Sequence, residues 1–154
     1  MNSLWLPVAN PDFFAQVGPW FMALPHCKKL GLELVAAEKG KVTIKLPFKP
    51  ELIGNPETRV LHGGVVTSLI DTSSGVALYT LLHVPEAAAT LDLRIDYLRP
   101  AKPDLPLYCT AECYRLTDSI AFTRATAYQD DPAKPVAHSV ATFARTSPTD
   151  KSEA

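Results

Sequence analysis

Cysteine is scarce and odd in number, with three among 154 residues. A disulfide framework is therefore not the expected source of stability, and a reducing, cytoplasmic setting is the default expectation. An excess of charge of one sign is missing as well: 15 basic and 16 acidic residues leave a formal net charge of −1. Such a balance provides no field that would attract nucleic acid or an acidic membrane surface. Long apolar runs are lacking, so no segment is expected to cross a bilayer. The opening MNSLWLPVANPDFF has no basic stretch ahead of an apolar one and does not read as a secretory leader. No G-x-S-x-G turn occurs, so a Ser-His-Asp hydrolase is not suggested. Cys109 and Cys113 stand four apart on a predicted strand, about 13 Å by strand rise and too far for one metal. No metal site is expected.

What is present is an ordinary globular composition, 47% hydrophobic and 20% charged, in a chain sized for one domain. Asn10, Pro11 and Asp12 give a capped helix start, and Phe13, Phe14, Val17, Phe21 and Leu24 follow at helical spacing until Pro25 ends the run. LGLELVAAEKGKVTIKLPF reads as two strands around the turn Glu38-Lys39-Gly40-Lys41, with Leu32, Leu34 and Ala36 alternating before it. KPELIGNPETRV reads as a loop. LHGGVVTSLIDTSSG opens a long central helix over about residues 62–82, which stops before Pro85. Four strands follow, the first with Leu91, Leu93, Ile95 and Tyr97 on one face. Residues 1–146 are thus read as a single domain, and 147–154 as a polar tail. One long apolar helix facing one antiparallel sheet makes an α+β fold.

The central helix carries the chemistry. Glycine costs about 1 kcal/mol against alanine inside a helix, so Gly63, Gly64 and Gly75 need reasons. At a helix N-terminus the reason is access: unpaired N–H groups and the positive end of the dipole suit a carbonyl oxygen that gains negative charge. Asp71 shares a stripe of small or polar residues with Thr67, Ser68, Ser74 and Gly75. Hydroxyls at 67, 68 and 74 are candidates to satisfy its carboxylate, which otherwise suits a base or nucleophile. Gly63 and Asp71 lie eight residues apart, about 12 Å along a helix. One carbonyl needs its oxyanion donor and its attacking group each within about 3 Å, so one helix cannot supply both. Two antiparallel copies can, and the small stripe at 64, 67, 68, 71, 74 and 75 permits their approach. A two-fold dimer with sites shared across the interface is the expectation.

HGGVVTSLIDTSSG, with TLDLRIDYLRPA after it, resembles the signature of the phenylacetate-pathway (PaaI-like) group of hotdog-fold acyl-CoA thioesterases. The resemblance spans roughly residues 28–145. It implies a curved antiparallel sheet wrapped around the long helix, in dimers that pair into homotetramers. It also implies catalytic roles for five residues. Asp71 is nucleophile or general base, the Gly63 amide polarises the thioester carbonyl, and His62 positions the thioester near sulfur. Asn55 orients water or the carboxylate, and Thr90 stands at the start of the strand after the helix. Strict alternation, however, puts Thr90 on the face opposite Leu91 and Leu93. Gly64 and Ser74 on the small stripe are expected beside the substrate. Arg59, Arg99 and Lys102, with Arg94, are candidates for the phosphates of coenzyme A.

The implied reaction is hydrolysis of small or medium acyl-CoA, aromatic acyl groups included, without cofactor or metal. Phe13, Phe14, Trp20 and Phe21 of the first helix are expected to help line the acyl pocket. Two other readings are a hotdog-fold dehydratase or hydratase and a non-catalytic acyl-CoA binding protein.

Overall fold

The computed structural model describes residues 8–146; the tail expected at 147–154 lies outside the described residues. Asn10 caps the first helix, α1 (Pro11–Ala23), by accepting the Phe13 N–H on its side chain, with Pro11 in the first turn and Asp12 at the positive end of the dipole. Its Nδ2 donates to the His83 carbonyl, and Ala9 N–H donates to Thr80 O, so α1 is moored to the chain beyond the central helix.

Pro25 does more than end a helix. Leu24 is extended, as a residue before proline tends to be, and Pro25 opens a second helix, α2 (Pro25–Leu30). Gly31 closes it in the left-handed conformation at φ 76°, after Lys28 and Lys29 in the last turn. The pattern of proline first, lysines late and glycine after was present in PHCKKLG, although the sequence reading took only the stop.

The strands are β1 (Glu33–Glu38), β2 (Lys41–Leu46), β3 (Ala88–Tyr97), β4 (Leu107–Leu116), β5 (Ile120–Tyr128) and β6 (Ala137–Arg145). They form one six-stranded antiparallel sheet in the order β1-β2-β4-β5-β6-β3. A bulge at Val35 shifts the alternation of β1, so Ala37 points inward instead of the expected Ala36. The central helix, α3 (Gly63–Tyr79), ends three residues before the expected limit. Thr80, Leu81 and Leu82 continue it as a tighter turn, each N–H bonded to the carbonyl three residues back.

One face of the sheet closes on α3. Val66, Leu69, Ile70, Val76 and Leu78 of the helix are buried against Val42, Ile44 and Leu46 of β2 and Leu107 and Cys109 of β4. Full burial of each large apolar side chain contributes about 2 kcal/mol. On β5 and β6 most inward positions are small, Ala121, Ala125, Ala127, Ala137 and Ala141, with Phe143 the large side chain among them. Small residues there let the sheet approach the helix backbone. This is the helix-in-sheet arrangement of the hotdog fold.

Strand β3 is different. It pairs only with β6, and Leu91, Tyr97 and the adjoining Leu98 are about half exposed. An open edge strand of ten residues, with Leu91 and Tyr97 exposed along it, invites pairing with another chain. No described helix is long and apolar enough to cross a membrane.

Burial pushes the Cys109 thiol up to about 12 from an ordinary 9.0, and burial moves Cys113 in the same direction. The unfolded chain therefore loses these protons first as pH rises, so stability falls between about 9 and about 12. Denaturant melts run from about pH 8 to about pH 11 should show this decline, and Cys109→Ala should flatten it. An unchanged slope in that variant would contradict the burial of Cys109.

Candidate active site

The N-terminus of α3 is built by three elements. His62 is the N-cap, and its Nδ1 accepts the Gly64 N–H at 2.9 Å. With Nδ1 accepting, the ring nitrogen left to donate is Nε2. Val65 N–H is taken by the His62 carbonyl. Gly63 N–H, ahead of the helical ladder, meets no protein acceptor among the described residues and sits at an exposed position.

Tyr97, expected only on the apolar face of its strand, and Gly54 hold this turn. Tyr97, at the end of β3, donates its hydroxyl to Gly63 O at 2.9 Å and lies 2.7 Å from the Thr67 hydroxyl. Gly54 lies against His62 so closely that a Cβ there would stand 2.7 Å from His62 Cα. A bridge between Ile53 and Leu61 and the bond from Gly54 N–H to Val60 O close this loop. Gly54 could have been noticed as the lone glycine of KPELIGNPETRV, but its partner depends on the loop's closure.

Asp71 is half-buried, two turns further along α3. Its partner is Thr90, whose hydroxyl donates to Asp71 Oδ1 at 2.9 Å. This corrects two expectations. Leu91 is an extra residue in a bulge between Thr90 and Asp92, which turns Thr90 onto the helix side and leaves Leu91 59% exposed. The hydroxyls expected to satisfy Asp71 are engaged elsewhere or buried. Thr67 reaches Gly63 O, and Ser68 reaches Gly64 O and the His26 ring. Ser74 is fully buried inside the chain and does not face the groove, so its expected place beside the substrate is not where the fold puts it. The small stripe therefore narrows to 64, 67, 68, 71 and 75.

A groove of about 460 Å³ opens beside Asp71 and Thr90, walled by Thr72, Gly75 and Tyr79 of α3 and by Trp20 and Phe21 of α1. Phe14, expected there with them, is fully buried in the core.

The remaining candidates do not converge on this groove. Asn55 is exposed, and its Oδ1 accepts the N–H groups of Glu57 and Thr58, which makes it a turn former within its own loop. Arg59 gives both guanidinium nitrogens to Asp104, at 2.7 and 2.9 Å, rather than standing open for phosphate. The hydrogen bond and charge of Asp104 raise the Arg59 pKa, and the reverse interaction lowers that of Asp104. Both residues have positive φ, 59° and 63°, so the clamp joins two strained turns. Arg94 pairs with Asp96. Arg99 and Lys102 share a small cleft with Lys134, Asp130 and Asp131, and neither cation is in an ion pair among the described residues. No cluster of three or more potential metal ligands occurs among the described residues.

A carboxylate held by a hydroxyl and an unpaired helix-start amide, on a hotdog sheet, are groups that suit chemistry at an activated carbonyl. The comparisons agree. Residues 59–136 match the Thioesterase superfamily model, and the chain belongs to that family. A protein of Halobacterium salinarum is 39% identical over 79 residues, covering 49% of this chain and 52% of the relative, so the chain spans about half of its length. The medium/long-chain acyl-CoA thioesterase YigI of Salmonella typhimurium is 30% identical over 129 residues, covering 75% of this chain and 83% of that protein. Among solved structures, a Pseudomonas aeruginosa protein is 46% identical with a TM-score of 0.78, covering 87% of this chain and 99% of that one. The PaaI protein of the E. coli phenylacetic acid degradation operon shares the fold at a TM-score of 0.78, with 20% identity over 89% of this chain and 95% of its own.

If Thr90 orients Asp71, Thr90→Val should lower thioester turnover about tenfold, or about 1.4 kcal/mol of barrier, and Thr90→Ser should restore it. Steady-state kinetics on both variants, with equal rates throughout, would remove Thr90 from the site.

Proposed function

We propose that the protein is an acyl-CoA thioesterase that works as a two-fold dimer. In each site Asp71 comes from one protomer and the Gly63 amide from its partner. The observation that carries this reading is the pairing of Asp71 with Thr90 at the mouth of an aromatic-walled groove, while Gly63 N–H stands unpaired at the far end of the same helix. The open β3 edge, with Leu91, Tyr97 and Leu98 exposed, is the surface on which a second copy fits. Pairing of these dimers into a tetramer is the further assembly we assign.

In the reaction, Asp71 takes a proton from water as the oxygen attacks the thioester carbonyl carbon. The carbonyl electrons move to oxygen, where the partner's Gly63 N–H and the helix dipole stabilise the charge. Collapse breaks the carbon–sulfur bond, and the proton held by Asp71 passes to the departing thiolate. His62 Nε2–H hydrogen-bonds the sulfur as charge builds there. Direct attack by Asp71 would instead form an anhydride that water then opens. Single turnover in isotopically labelled water separates the two, because only the anhydride route can carry label into Asp71. Of the candidate cations, Arg99 and Lys102 are those left without an ion pair among the described residues for coenzyme A phosphates.

Asp71→Asn keeps an acceptor for Thr90 and removes the base. Free-thiol release from octanoyl-CoA should fall about a thousandfold, or about 4 kcal/mol of barrier, with the melting temperature unchanged. A variant as fast as the parent would defeat the role of Asp71. Calorimetric binding without turnover by the parent would favour a non-catalytic binding protein.

A further inference from the structure

Asp71, Gly75 and Tyr79 lie at positions i, i+4 and i+8 of α3 and so line one face of it in sequence. Gly75 is a poor helix former in a helix interior, and packing does not call for it: an added Cβ would meet only Phe143, at 3.8 Å. The missing side chain instead leaves open the floor of the groove between the carboxylate and Tyr79.

At Tyr79 the groove meets a second cavity of about 330 Å³, walled by Phe13, Gln16, Val17 and Pro85. The two cavities share Trp20, Tyr79 and Glu86. Their common wall is firm. Trp20 meets Phe21 edge-on at 5.1 Å, and Phe21 meets Tyr79 edge-on at 4.9 Å. Two of the polar groups along it are already satisfied: Tyr79 donates its hydroxyl to Glu86 O, and the Glu86 carboxylate is held by Arg145 at 2.6 and 2.7 Å. Trp20 is 57% exposed at the junction, a large apolar side chain with little cover.

Resting on the thioesterase reading above, we propose that the acyl chain runs along α3 from Asp71 over Gly75 to Tyr79, then beneath Trp20 of α1. Gly75 and Trp20 then set chain length, and the substrates are unbranched medium-chain acyl thioesters. Asp71 to Tyr79 spans about 12 Å of helix, which an acetyl group leaves empty and an octanoyl chain fills. The Tyr79 hydroxyl and the Glu86 carboxylate on this path are already paired and offer a polar acyl tail no partner.

The test measures binding in the Asp71→Asn background, where turnover does not consume the ligand. Calorimetry with acetyl-CoA and octanoyl-CoA should show octanoyl-CoA binding at least about tenfold tighter. Gly75→Leu should erase that advantage, with a melting temperature at or above the parent's because leucine is the better helix former. Trp20→Ala, a change at an exposed position, should reduce the advantage without altering acetyl-CoA affinity. Equal affinities in the parent, or an advantage that survives both substitutions, would overturn the channel. Failure of the thioesterase reading would appear separately, as a wild-type protein that binds octanoyl-CoA and releases no thiol.

Discussion

Eight residues of α-helix separate the Gly63 amide from the Asp71 carboxylate, and the rise of the helix makes that gap about 12 Å. Every other feature of the site answers to this distance. A carbonyl carbon and its oxygen are a bond apart, so an attacking group and an oxyanion donor must come almost together. Rigid helix geometry prevents one copy of α3 from bringing them together. What it can do is offer the donor at one end, the carboxylate in the middle and a pairing edge alongside.

Strand β3 is the element that services both ends. Its last residue, Tyr97, holds the carbonyl of Gly63, and near its start Thr90 holds Asp71. The bulge at Leu91 makes the second contact available, and the same strand leaves its outer edge unpaired. One strand therefore contacts both groups of its own chain, and in the proposed dimer its open edge is where the second chain pairs. The ion pair of Glu86 with Arg145 holds the segment leading into β3 against the end of β6. Removing one partner from so buried a pair would leave an uncompensated charge.

Much of this was legible in the residues. The helix-start glycines, the acid nine positions after the histidine and the gap between Gly63 and Asp71 could all be read from the chain, and they led to the fold and to the shared-site idea. Thr90 could not be placed, because its orientation depends on a bulge set by register with β6, and register is a property of two strands. Ser74 looked like a groove residue because helical spacing gives a face but not which side of it the sheet covers. Arg59 looked like a free cation because its partner, Asp104, lies 45 positions away in another turn. The second helix was missed although its start and stop residues were present.

The shared site is tested most directly by complementation. Gly63→Pro deletes the donor N–H at the first helical position, where proline fits, and His62 already has the extended backbone that proline requires before it, φ −62° and ψ 134°. Asp71→Asn deletes the carboxylate. Each variant alone should be nearly inactive. When the two chains are mixed and allowed to assemble, about half of the dimers hold one intact site, so activity should return to about a quarter of wild type. Mixed dimers that form and stay as inactive as their parents would contradict a site built from Asp71 of one chain and Gly63 of the other.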